Sequence, residues 1–211
     1  AIRHRRRPEP VEVDQAPLRA KLSEHRPLTF RQIRGGADEK LADSLIAEHH
    51  YLGFTRPVGE YLKYLVSAGS RPLATLTWCS PARWLAPRDR FIGWSPEARA
   101  RNVQLIAYNS RFLIPPWVEV PHLASHILGA MARRLSADWQ ARYGHPVHFL
   151  ETFIDPALYR GTSYRAANWI SLGLTTGRGK DAPTKLPTRS LKEVLGYPLE
   201  KHFRDSLTSL Q

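Results

Sequence analysis

The chain has one cysteine, Cys79, in 211 residues. A lone thiol excludes an internal disulfide framework and a cysteine-based zinc knuckle. No uninterrupted apolar run approaches the roughly 20 residues a membrane span needs. The first residues also lack the basic-then-apolar signature of a secretory leader. These absences predict an intracellular, cytoplasmic chain with no membrane partner. Acidic residues are scarce: Asp+Glu number 19 against 31 Lys+Arg, a formal net charge of +12. Such an excess favours polyanionic partners, because phosphate neutralisation dominates non-specific nucleic-acid binding. The basic residues are rich in arginine, whose planar fork suits phosphates and base edges. A basic enzyme with no nucleic-acid partner would show the same balance, so charge leaves both readings open. The hydrophobic content of 42% is enough for a packed core and excludes wholesale disorder.

Composition shifts divide the chain. Residues 1–27 read as a basic, proline-containing arm, with Arg3, His4, Arg5, Arg6 and Arg7 at its head and Pro8, Pro10, Pro17 and Pro27 along it. Residues 28–205 read as a single domain with an insertion at about 81–108, and 206–211 as a C-terminal tail. Alternation predicts a strand at 28–34, and helical spacing a helix at 37–48. A hairpin of β formers covers 61–66 and 73–79. Residues 96–106 look helical after Ser95-Pro96, and 111–114 form a short apolar strand stopped by Pro115-Pro116. Leu123, Ile127, Leu128, Met131 and Leu135 give the stripe of a long helix over 122–142. A strand at 147–154, a short helix at 163–170 and a strand from Ile170 follow, with one helical turn at Leu191 to Leu195.

The segment 151–180 concentrates chemistry. Glu151 and Asp155 bracket a strand end, a Gly161-Thr162-Ser163 step leads into a helix, and Tyr164, Arg165, Asn168 and Trp169 follow. Carboxylates at a strand end before a glycine step are an arrangement that open α/β sheets use for sites. Glu151 reads either as a general base, its proton affinity raised by burial, or as a carboxylate paired with Arg165 or Arg111. Tyr164 and Asn168 stand four apart, on one helix face, where an amide can read adenine and a tyrosine can stack. Tyr164 equally suits a core position. His50 and Tyr51, after the first helix, add a group that exchanges protons near neutral pH. Asn109 and Arg111, with Arg178, complete an expected substrate-binding rim. No metal site is expected, because His49 and His50 are adjacent and no glutamate follows His122 on the way to His126.

The order of elements resembles the GNAT acyltransferase fold, an α+β architecture with a mixed sheet and a long helix packed on one face. Arg-Phe-Leu-Ile at 111–114, Val-Pro-His-Leu-Ala-Ser-His-Ile-Leu at 120–128 and Ala-Asp-Trp-Gln-Ala-Arg-Tyr-Gly at 137–144 resemble the bacterial family that contains the Druantia anti-phage protein DruA. So do Leu-Glu-Thr-Phe at 150–153 and Tyr-Arg-Ala-Ala-Asn-Trp at 164–169. The resemblance implies a defence-linked or mobile-element-linked protein that works beside other subunits of a defence system. His50-Tyr51 and the element order are similar to Mom, a GNAT-like phage protein that modifies adenine in DNA, which implies nucleic-acid or nucleotide chemistry of a transferase type. A non-catalytic nucleic-acid-binding subunit and a small-molecule enzyme stay open beside it. GNAT enzymes cradle the CoA pyrophosphate on a glycine-rich turn before the long helix. Here that connection, Pro115 to Pro121, has no glycine and three prolines. Counting back from Gly173 also puts Trp169 where many GNATs keep a tyrosine acid. Ordinary acetyl-CoA binding is therefore not expected, and the cofactor is left open.

Overall fold

A computed structural model describes residues 7–177 and 190–210. In chain order it contains β1 (Leu18–Arg19), β2 (Thr29–Ile33), α1 (Gly36–His49), β3 (Tyr61–Ala68), β4 (Arg71–Cys79), α2 (Ala86–Ile92), α3 (Pro96–Asn102) and β5 (Ile106–Leu113). Then come β6 (Val118–Glu119), α4 (Leu123–Tyr143), β7 (Phe149–Ile154), α5 (Thr162–Ala166), β8 (Ile170–Leu174), β9 (Glu193–Pro198) and α6 (Phe203–Thr208). Two compact units result: residues 7–79 with 109–123, and residues 80–108 with 124–177 and 190–210.

In the first unit the strand order is β2-β3-β4-β5. The hairpin β3–β4 is antiparallel, pairing Leu62 with Trp78 and Tyr64 with Leu76. Both strands are buried along most of their length, so aromatic and β-branched pairs stabilise the sheet from both faces. Helix α1 carries Asp38 and Glu39 in its first turn, where the helix dipole favours acids. Its inward stripe joins Ala42 to Ile33 and Leu65 in one core cluster. The segment expected as an arm is held to the first unit, with Arg7 Nη2 donating to Ala47 O. The Val11 N–H donates to Ser44 Oγ, Asp14 pairs with Arg71, and β1 runs parallel to β6. Arg3, Arg5 and Arg6 lie outside the described residues.

In the second unit the order is β5-β7-β9-β8. Strands β5 and β7 are parallel, which requires a crossover, and α4 lies between them in sequence. Their pairing runs Ile106–Phe149, Ala107–Leu150 and Tyr108–Glu151 and stops there. The expected strand at 111–114 thus begins five residues earlier, and it is this earlier stretch that meets β7. The β7–β9 and β8–β9 pairs are antiparallel, so the fold is an α+β mixed sheet. Ile92, Trp94, Ala98, Ile106, Phe149, Phe203 and Leu207 form its core. The expected stripe of α4 is buried throughout, with Trp139 added to it. Each such side chain contributes about 1.5–3 kcal/mol of burial.

Two expectations fail here. Residues 193–198 form β9, an interior strand between β7 and β8. An apolar run that short carries no reliable period, and cross-strand packing decides its state. Residues 206–208 of the expected tail belong to α6, which buries Phe203 and Leu207 on one face. Gly196 on β9 stands opposite Glu151. A Cβ there would lie 2.4 Å from Phe149 Cζ, so close packing excludes any side chain.

Candidate functional site

Four of the expected site residues gather in the first unit. Helix α1 ends with the His50 N–H donating to Ile46 O, and the chain turns through residues 50–55. Arg111 on β5 fastens this loop. Its Nε donates to Gly53 O at 2.8 Å, Nη2 to Thr55 Oγ1 at 3.2 Å and Nη1 to Ser110 O at 2.6 Å. The guanidinium expected to hold substrate phosphate is therefore occupied with its own chain. Asn109 is also turned inward, donating from Nδ2 to Thr77 O and Arg111 O.

The held loop presents His50 and Tyr51 as a stacked pair, ring centroids 5.0 Å apart. Tyr51 is 41% exposed. Burial, with Arg111 nearby, lowers the His50 imidazole from 6.5 to about 4, so it is neutral at physiological pH. Its Nδ1 accepts from the Leu52 N–H at 3.2 Å, which leaves Nε2 to carry the proton. The ring is thus arranged to donate and stays neutral at the pH where the sequence suggested proton exchange. Cys79 is buried and touches Ser110 Oγ. Burial pushes its thiol up, which suppresses nucleophilic thiolate.

The second unit treats the 151–180 residues differently. Glu151 has no exposure, so it does not front a pocket beside Arg165 and Asn168 as expected. Its partner is Arg88 on α2, Nη1 lying 3.2 and 3.4 Å from the two carboxylate oxygens. Neither Arg165 nor Arg111 serves it. Arg165 is paired with Glu193 at 2.7 Å. Burial pushes the Glu151 carboxyl up to about 7, against the attraction of Arg88 and with help from the Asp89 charge. Arg88 is itself fully buried, and also donates to Ala82 O and Asp89.

Trp169 is buried at 4% exposure, edge-on to Tyr164 at 5.1 Å and tilted against Tyr197. Trp169 belongs to the core, and Tyr164 is half-buried beside it. Asn168 is exposed with φ +65°, a left-handed conformation that asparagine tolerates. Gly161 at φ +67° precedes α5, so the glycine step into a helix is present as expected. Arg178 lies outside the described residues.

Sequence reasoning missed Arg88, which sits in the stretch read as an insertion, 63 residues from its partner. It also missed Lys63. This side chain on β3 is 4% exposed and bridges Glu39 Oε1 at 2.7 Å and Asp43 Oδ1 at 2.5 Å. A lysine inside a buried strand, with two acids four apart on the preceding helix, was the available signal.

The fold is that of the GNAT acetyltransferases. A spermidine N-acetyltransferase SpeG chimera from Vibrio cholerae superposes with a TM-score of 0.52 at 10% identity, over 83% of this chain and 97% of that one. A Bacillus subtilis acetyltransferase in complex with CoA gives 0.51 at 8%, over 82% and 99%. FeeM, an N-acyl amino acid synthase from uncultured soil microbes, gives 0.50 at 13%, over 82% and 93%. Identities this low establish architecture and leave activity open. The chain belongs to the DruA family: the family model described as Druantia protein DruA matches residues 7–183. No curated protein matches the sequence.

The fold raises acyl-CoA as a cofactor, and the connection from β5 to α4 tests it. Three of its residues are prolines, the Val118 N–H is committed to Pro115 O, and Trp117, Val118 and Val120 turn their side chains inward. Glu119, paired with Arg19, places a carboxylate on the same stretch. So few free amides do not fit a pyrophosphate cradle.

Proposed function

We propose that this DruA-family chain serves anti-phage defence by acting on nucleic acid or nucleotides, with transferase-type chemistry on its GNAT-like scaffold. The observation that carries the reading is the His50–Tyr51 stack, held out on a loop that Arg111 fastens. An exposed tyrosine backed by a second ring is a stacking platform for a base, and stacking contributes about 1–3 kcal/mol per base. The neutral His50 donates to an acceptor on the same ligand. The net charge of +12 supplies the phosphate attraction that brings such a ligand in. The similarity of His50-Tyr51 to Mom points the same way. Other subunits of the same defence system are the expected protein partners.

A binding-only subunit is the second reading. It is favoured by the sealing of Glu151, which leaves the expected general base out of reach of a ligand. Mass spectrometry of nucleosides from cells expressing the wild-type chain, Tyr51→Ala or neither separates the two. A new nucleoside mass that requires Tyr51 supports transfer. Salt-dependent nucleic-acid binding without a new mass supports the binding subunit. Undetectable binding to duplex DNA, single-stranded DNA and RNA at low salt would refute both and leave a small-molecule substrate.

A further inference from the structure

Beside the loop that carries the stack, the first unit holds a cleft of about 660 Å3. That volume lies within the range of small-ligand sites. Its chemistry is layered. At the bottom, the Lys63 ammonium faces the carboxylates of Glu39 and Asp43. One cation against two anions leaves the floor negative. Both oxygens of Glu39 are engaged, Oε1 accepting from Lys63 and Oε2 from the Gly35 N–H. Asp43 gives only Oδ1 to Lys63, and a carboxylate has about four acceptor positions. Its remaining capacity belongs to the cleft that it lines.

The walls are flat and apolar: Phe54 and Tyr61 lie with ring centroids 5.6 and 5.9 Å from Lys63 Nζ, and Pro8 and Pro57 line the cleft with them. The Arg34 guanidinium stands over the Tyr61 ring at 4.7 Å. Arg7, Lys40 and Arg56 bring three positive charges to the lining against one further carboxylate, Glu9, and Lys40 and Arg56 are solvent-exposed. An acceptor-rich floor, ring-shaped walls and cations open to solvent match one ligand class. A flat group bearing N–H donors goes in first, and an anionic tail stays at the mouth.

We propose that this cleft is a nucleotide site selective for guanine. The ring N–H and amino group of guanine form an adjacent donor pair that a carboxylate accepts together, and Asp43 is placed to do so. Phe54 and Tyr61 flank the base, and Arg56 with Arg7 takes the phosphate. The inference rests on the nucleotide-directed reading given above and names its base and its pocket. Selectivity comes from the floor, because uracil offers one ring N–H between two carbonyls that the acidic floor repels. Affinity from the phosphate comes from the mouth.

The test is calorimetric titration of the full chain at low salt with GMP, UMP and guanosine. GMP is expected to bind roughly tenfold or more tighter than UMP, the discrimination a good bidentate pair supplies, and guanosine to bind more weakly than GMP. Asp43→Asn should erase the preference for GMP over UMP. Arg56→Ala, on an exposed loop position where folding is not at stake, should weaken GMP and leave guanosine unchanged. Equal affinity for GMP and UMP overturns the proposal, as does a preference that survives Asp43→Asn. Single-stranded DNA and RNA are titrated in parallel. Their binding without any GMP preference refutes the pocket and spares the functional reading, whereas silence from every nucleotide and nucleic acid removes both.

Discussion

Replacing Glu151 with glutamine tests the buried pair that anchors α2 to the sheet. The carboxyl titrates at about 7 in the folded chain and near 4.5 when unfolded. Below 4.5 both states are protonated and the group contributes no pH dependence. Between 4.5 and 7 the unfolded chain releases its proton while the folded chain keeps it, so native stability falls as pH rises. Above 7 the loss is complete, on the order of 3 kcal/mol. Glu151→Gln removes this titration and keeps an acceptor for Arg88, which retains Asp89 and Ala82 O as partners. At pH 4.5 the variant and the wild type should be of similar stability. By pH 8 the variant should be the more stable by about 3 kcal/mol.

Urea unfolding followed by the fluorescence of the six tryptophans, at matched pH values, measures the difference. The comparison must be made between the two proteins at each pH, because His50 contributes the opposite slope. Its imidazole is held to about 4 against an ordinary 6.5, so its share of stability is complete above 6.5 and is lost as pH falls toward 4. Over the shared window the two slopes offset each other in the wild type. A stability difference between Glu151→Gln and wild type that stays constant from pH 4.5 to 8 would refute the raised carboxyl.

Further outcomes follow from the same contacts. In His50→Gln the loss of stability between pH 6.5 and 4 should be smaller than in wild type, read by the same unfolding curves. Arg88→Met strips Glu151 of its partner and should cost about 3–5 kcal/mol at pH 8, with a much smaller cost at pH 4.5, where the carboxyl is neutral. Gly196→Ala drives a methyl into Phe149 and should cost about 1–3 kcal/mol, seen as a lower melting temperature. Calorimetry should show no tight, phosphate-dependent CoA binding, and a tight complex would overturn the reading of the Pro115 to Pro121 connection.

What the sequence made legible was what local periodicity encodes. The stripe of α4 and the β3–β4 hairpin repeat apolar residues at 3.6 and 2 positions, and each is present at nearly the expected bounds. Strand β9 has no such signature, since Val194 and Leu195 are strand residues only because β7 and β8 lie on either side. The polar density of 151–180 was legible too, but its purpose was not. Arg165 is spent on Glu193, Trp169 on the core, and Asn168 on a left-handed turn. Those identities answer to the packing of a sheet edge, which a reading of one segment cannot separate from a site.

The groups with unusual chemistry are instead pairs made by the fold. Lys63 and Arg88 are both cations in buried positions, which burial alone forbids, so each had to find a carboxylate. Lys63 found two, 20 and 24 residues before it, and Arg88 found Glu151, 63 residues ahead, and the adjacent Asp89, which Arg99 shares. The difference decides what each site can do. Around Arg88 one glutamate and the adjacent Asp89 are drawn into a closed network with backbone and ring contacts on the remaining sides, and no face is left for a ligand. Around Lys63 the carboxylates outnumber the cation, and the surplus acceptor capacity of Asp43 borders a cleft. Two buried ion pairs of similar composition thus divide into a structural clamp and a binding floor by access.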